Sequence, residues 1–237
     1  MTLGFIAMAF ACVVGGAVQG TIGFGLALLV VPVVQLAQPG AVPVAVLCAS
    51  LPLTATMAVR ERGHVDLHGL AWILGGRVLG TAVGVWILAT IPPTGLELAV
   101  GSMILGAVVA SLVGVPIGPR PPVSFSAGVV SGVMGTTAAI GGPAVAIVYS
   151  GRPGPEMRST IASAFVIGFF LSFGALALAG EVERPDVVLG LALIPFILTG
   201  LWIGTRVAGR IAPRWLRRAV LVFAASGGAT VILRASI

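Results

Sequence analysis

Two stretches of the chain carry the residue types that can hold a small anion without a metal: glycines that let backbone approach a ligand, with hydroxyls and amides beside them. The first is Gln19, Gly20 and Thr21, with Gly23 and Gly25 just beyond. The second is Ser131, Gly135, Thr136 and Thr137, followed by Gly141 and Gly142. Where such a run interrupts a helix, the half-helix that follows presents N–H groups with no intrahelical partner and the positive end of its dipole. Glycine removes the Cβ that would hold a ligand away. Small residues four apart also let membrane helices pack closely with no ligand at all, and that reading stands beside the first. For isolated pairs such as Gly80 and Gly84 it is the simpler one.

Arg77 is the one charge deep inside an apolar segment, about ten residues into the third. A central arginine costs about 2.5–3.5 kcal/mol on insertion scales, so it needs a purpose: contact with an anionic substrate, or snorkelling to an interface as an orientation charge. No acidic partner within a membrane segment is evident from sequence. Ser50, Thr54, Thr56, Ser159, Thr160 and Ser163 could line the same cavity or bond their own helix backbone. Ser50 and Thr160 are retained as candidate substrate contacts. His64 and His68 share a loop with Glu61 and Asp66 and read as solvated residues, so no metal site is expected there. Cys12 and Cys48 lie in apolar runs and read as small buried hydrophobes. No nucleophile–base constellation, HExxH motif or P-loop is present, which disfavours an enzyme or an ATP-driven pump and implies no cofactor.

The elements that must position these residues follow from composition. Of 237 residues, 58% are hydrophobic and only 8% charged, with a mean hydropathy of +1.14. So few ionisable groups cannot cover a water-facing surface, whereas lipid requires none. The expected class is an all-α polytopic membrane protein forming one membrane domain over 1–237, multi-pass in a cell inner membrane with the lipid bilayer as its partner. The opening stretch has no basic n-region and reads as retained. All 13 basic residues are arginine and the formal net charge is +6. The arginines sit between apolar segments, so they are orientation charges and no nucleic acid is implied.

Eight apolar segments result: Leu3–Leu36, Ala41–Val59, Leu67–Ala89, Leu96–Val115, Val123–Tyr149, Ser159–Ala179, Val187–Ala208 and Leu216–Leu233. The first would be roughly 50 Å long as a helix, too long for tilt to absorb. The fifth is interrupted by glycines. Gly16, Gly20 and Gly23 fall over Gly128, Gly132 and Gly135 at a constant offset, and Gly80, Gly84, Pro93, Leu96 and Ala99 fall over Gly200, Gly204, Pro213, Leu216 and Ala219 at a second one. A duplication follows, with repeats over 1–119 and 120–237.

If every segment crossed once, the loops would place five arginines on one side and seven on the other. With the fifth segment folding back as a re-entrant hairpin the split becomes ten against two, Arg184 and Arg234 being the pair opposite. The first segment's hairpin rests on its length and its likeness to the fifth. Each half is then one glycine-broken hairpin plus three crossings, and the odd number makes the repeats inverted, the arrangement in which broken helices meet at a midplane site.

The run VGGAVQGTIGFGLALLVVP over 14–32, its echo AGVVSGVMG over 127–135, and Gly200 to Val220 with APRWLRR resemble the sulfite exporter TauE/SafE family over nearly the whole chain. That resemblance implies ATP-independent transport of sulfite, organosulfonates or related small organic anions. The second copy reads GTTAAIGGP over 135–143, more polar than the family's glycine-rich version, so substrate identity does not carry over. The alternative is a non-transporting membrane subunit of a larger complex; a homodimer is compatible with either.

Overall fold

The computed structural model describes residues 2–113, 117–207 and 213–236. Val115 and Ala208, expected to end the fourth and seventh segments, and Arg210 of the charge tally lie outside them. Among the described residues the fold is all helical: α1 (Thr2–Ile22), α2 (Leu26–Ala37), α3 (Val44–Arg60), α4 (Leu67–Thr90), α5 (Pro93–Val113), α6 (Pro121–Ala138), α7 (Gly142–Tyr149), α8 (Gly154–Leu178), α9 (Arg184–Val207) and α10 (Pro213–Ala235), with one 3-10 turn at Arg62–His64. Six of these helices, α1, α4, α5, α8, α9 and α10, are long and apolar enough to cross a membrane. The sequence led us to expect six crossings, with α3 counted as one and α1 as an arm of the first hairpin. At 17 residues α3 sits at the short end of what spans a bilayer, about 17–25, while α1 has 21.

Both odd segments break where the glycines require it. Gly23 and Gly25 adopt φ of +101° and +119°, open to glycine and strained for other residues. The second break is closed differently. Ala139 stands at φ 57°, its N–H donating to the Gly135 carbonyl and that of Ile140 to the Met134 carbonyl, both at 3.1 Å. This is an αL-type helix end with alanine where glycine is usual, a conformation costing about 1–2 kcal/mol.

Each broken unit turns back on itself. α6 runs beside α4 in the same direction: the missing Cβ of Gly76 faces Phe125, that of Gly80 faces Val129, and that of Gly84 faces Thr136. α7 then returns, and the hydroxyl of its last residue, Tyr149, donates to the Asp66 carboxylate at 2.8 Å, at the very start of α4. α1 likewise runs beside α9, with Gly200 against Val13 and Gly204 against Ala17. α2 returns toward the end where α9 begins: the Leu36 carbonyl accepts from Arg234 Nη1 at 2.8 Å, and Gln38 shares a surface cavity with Glu181 and Pro185. The two hairpins therefore open at opposite ends of the bundle. Arg60, Arg62, Arg152 and Arg158 lie at the end holding Asp66, Arg184 and Arg234 at the other.

Packing exchanges elements between the two halves of the chain: α4 with α6, α1 with α9, α3 with α9, α4 with α8, and α5 with α10. Glycines set the α4–α6 and α1–α9 seams, where backbone touches backbone and an added methyl meets a carbonyl oxygen. Gly80→Ala is expected to destabilise the detergent-solubilised protein by about 1–3 kcal/mol, an overpacking cost. Gly174→Ala, with nothing within 4 Å of the added carbon, should leave the melting temperature unchanged or raise it. Arg120→Cys and Arg152→Cys, each in a background lacking the two native cysteines, should react with an impermeant maleimide from the same side of the membrane. Reaction from opposite sides would mean that residues 121–149 cross it.

Candidate anion-binding site

The two breaks meet. Gly142 lies against Phe24 and Phe165, and a cavity of about 50 Å³ sits between the breaks. Its walls are Gln19, Gly25, Leu26, Ala27 and Leu28 from the first hairpin, and Gly135, Ala139, Gly141, Gly142 and Pro143 from the second. Val46, Leu47, Ser50 and Thr54 of α3, Arg77 of α4, and Phe165 and Phe169 of α8 close it. A water needs about 10–15 Å³ by this measure, so the space holds a few waters or one small oxyanion.

Arg77 dominates the electrostatics. It is 3% exposed, its head enclosed by protein, which speaks against the snorkelling alternative. Nη1 donates to Ser131 Oγ at 2.9 Å. The Phe165 ring centroid lies 5.9 Å from Cζ. Nε is buried without a hydrogen-bond partner, and among the described residues no carboxylate forms an ion pair with this guanidinium. A desolvated cation with an orphaned donor is costly unless something negative sits beside it.

Gln19 is buried too, and its Oε1 accepts the Leu26 N–H at 3.2 Å, capping α2 from within the hairpin. The expected extra donor therefore uses its carbonyl to hold the half-helix in place. The second half-helix offers fewer donors than expected, because Pro143 near its start has no N–H. Ser50 lines the cavity while its hydroxyl donates to the Leu47 carbonyl at 3.0 Å. Ser131 is absent from the wall and sits behind Arg77.

Other candidates serve the scaffold. Gly20 packs against Leu201. The Thr21 hydroxyl donates to the Ala17 carbonyl at 2.8 Å and lies 3.3 Å from the Gly204 carbonyl, on the α1–α9 seam. Gly23 lies under the Arg158 side chain, which pairs with Glu61 at 3.0 Å. Thr136 bonds Ser172 at 2.9 Å and Thr81 at 3.4 Å, deep between α4, α6 and α8. Thr137 is fully buried and its hydroxyl has no partner. Thr160 Oγ1 accepts the Asp66 N–H at 3.0 Å, far from the cavity wall. None of these residues lines the cavity. Thr54, named among the hydroxyls that could line the cavity, does line it. Phe165 and Phe169 were missed as wall residues; their i,i+4 spacing was visible, but in an apolar helix it marks any buried face.

Residues 8–231 match the family model described as sulfite exporter TauE/SafE. The chain belongs to the sulfite exporter TauE/SafE family. No curated protein and no solved structure matches it. The match spans both TauE/SafE hairpins, all the cavity walls and the Asp66 junction that anchors the second hairpin.

At that junction burial alone would raise the Asp66 carboxyl, but the Gly69 N–H at 3.0 Å and the Tyr149 hydroxyl outweigh it and hold it below its ordinary value. A carboxylate lowered on folding stabilises the fold above its unfolded pKa, and that contribution is lost as pH falls through the folded value. Asp66→Asn is therefore expected to lower the melting temperature at pH 7, and the gap to the wild type should narrow as pH falls below the ordinary carboxylate value of about 4. A pH-independent gap would contradict the charged junction.

Proposed function

We propose that this TauE/SafE chain is a secondary transporter or facilitator that moves a small anion across the bacterial inner membrane: sulfite, an organosulfonate or a related organic anion. Arg77 carries the reading. It is a buried guanidinium that, among the described residues, has no carboxylate partner and a free Nε, and it lies on the wall of a cavity between two broken helices. An anion there supplies the missing counter-charge and occupies a space lined by Gly25 and by Gly141 and Gly142. A subunit that only packed against partners would have no need of a cation in such a place.

The size of the cavity favours sulfite-sized oxyanions; a bulkier sulfonate enters only if the walls separate. In the same reading the halves 1–119 and 120–237 are inverted repeats. The opposed openings of the hairpins and the exchanged packing of α4 with α6 and α1 with α9 support this. The end with Arg60, Arg62, Arg152 and Arg158 faces the cytoplasm by the positive-inside rule. Alternating access is then a rocking of the two packed bodies about the cavity.

Reconstituted in liposomes, the wild type should carry sulfite down a gradient. Arg77→Gln should lower the flux about a hundredfold or more, as loss of one member of a buried charge pair does. Arg77→Lys, which keeps the charge and loses the planar fork, should fall between. Wild-type vesicles that move no sulfite, sulfonate or carboxylate, or an Arg77→Gln variant as active as the wild type, would overturn the reading.

A further inference from the structure

We propose that Gly168, in the middle of α8, is a positioning residue: the space left by its missing Cβ is the slot for the Arg77 guanidinium, and this sets the affinity of the cavity for its anion. The inference rests on the reading of Arg77 as the anion's counter-charge.

Glycine inside a helix costs about 1 kcal/mol relative to alanine, so an interior glycine needs a reason. Gly174 in the same helix has open space around it. Around Gly168 the nearest atoms to an added Cβ are Nε, Cζ and Nη2 of Arg77, the last at 2.6 Å. No backbone atom is among them, unlike at Gly76, Gly80 or Gly128. Gly168 is thus no helix-seam glycine. What it accommodates is one side-chain head.

That head is fixed from the other side by the single bond from Nη1 to Ser131. It sits between Ser131 of α6 and Gly168 of α8, with Phe165 one turn before Gly168 along the same helix. The arginine stem is flexible, so a methyl at 168 leaves α8 intact and displaces the guanidinium. The displaced head leaves Ser131 and moves into a cavity of only about 50 Å³, where it takes the room an anion needs. The loss falls on binding.

The test is sulfite uptake by proteoliposomes, measured as KM and Vmax. Gly168→Ala should raise KM about tenfold with Vmax within about twofold, while Gly174→Ala changes neither. In the Arg77→Lys background, whose compact and unbranched head can swing aside, the same Gly168→Ala should change KM less than about twofold. An equal effect in both backgrounds, or none in the wild type, overturns the slot while leaving the transport reading standing. Arg77→Gln transporting like the wild type overturns the transport reading itself. If Gly168→Ala cannot be recovered folded, its combination with Arg77→Ala decides: restored folded protein supports the slot, and continued loss overturns it.

Discussion

Hydrocarbon offers no hydrogen-bond partner to a peptide group, and the architecture of this chain is an answer to that constraint at two places. α1 stops at Ile22 and α6 at Ala138, each without reaching the start of the next crossing. The freed N–H and C=O groups must be satisfied by protein. Gln19 takes the Leu26 N–H at one break, and the Gly135 and Met134 carbonyls take the amides of Ala139 and Ile140 at the other. Enclosing both breaks requires helices to approach more closely than side chains normally allow, which is why the seams beside them are built from Gly16, Gly200 and Gly204 on one side and Gly76, Gly80 and Gly128 on the other. The glycine content follows from the breaks.

Enclosure alone would give a sealed plug. In the transport reading proposed above, function enters through the cavity between the breaks and through the cation placed on its wall. Ser131 and the Phe165 face hold the guanidinium without neutralising it. A carboxylate in that place would make the site stable and inert. In that reading, a charge without a carboxylate partner among the described residues makes the empty site costly and an anion-occupied site favourable.

The sequence revealed the breaks in the first and fifth segments and singled out Arg77, because each violates a simple rule: a run too long for the bilayer, glycines interrupting a helix, a charge deep in an apolar segment. It did not separate seam from site. Gly20, Thr21 and Thr136 have the same chemistry as Gly25, Ser50 and Gly141, and only the direction in which each residue faces on its helix decides between Leu201, Ser172 and the cavity. Thr160 is similar: a hydroxyl suited to a lining position proved to be a staple for Asp66. Phe165 and Phe169 were unreadable for the opposite reason, since an aromatic wall and an aromatic core look alike in a row of letters. The second expected segment, Ala41–Val59, maps onto α3, which Pro43 and Glu61 flank.

The exchanged packing of α4 with α6 and of α1 with α9 has a bearing on ancestry. A chain of half this length, carrying one hairpin and its three following helices, would leave the glycine face of its own first helix uncovered, because the surface that matches it lies on the other copy. Such a precursor would be complete only as a pair in which each molecule lends its hairpin to its sibling. Fusion of the two genes would then have tied an existing embrace into one polypeptide, and freed the two sides to diverge until a single arginine, with Ile197 in the corresponding place of the other half, served them both.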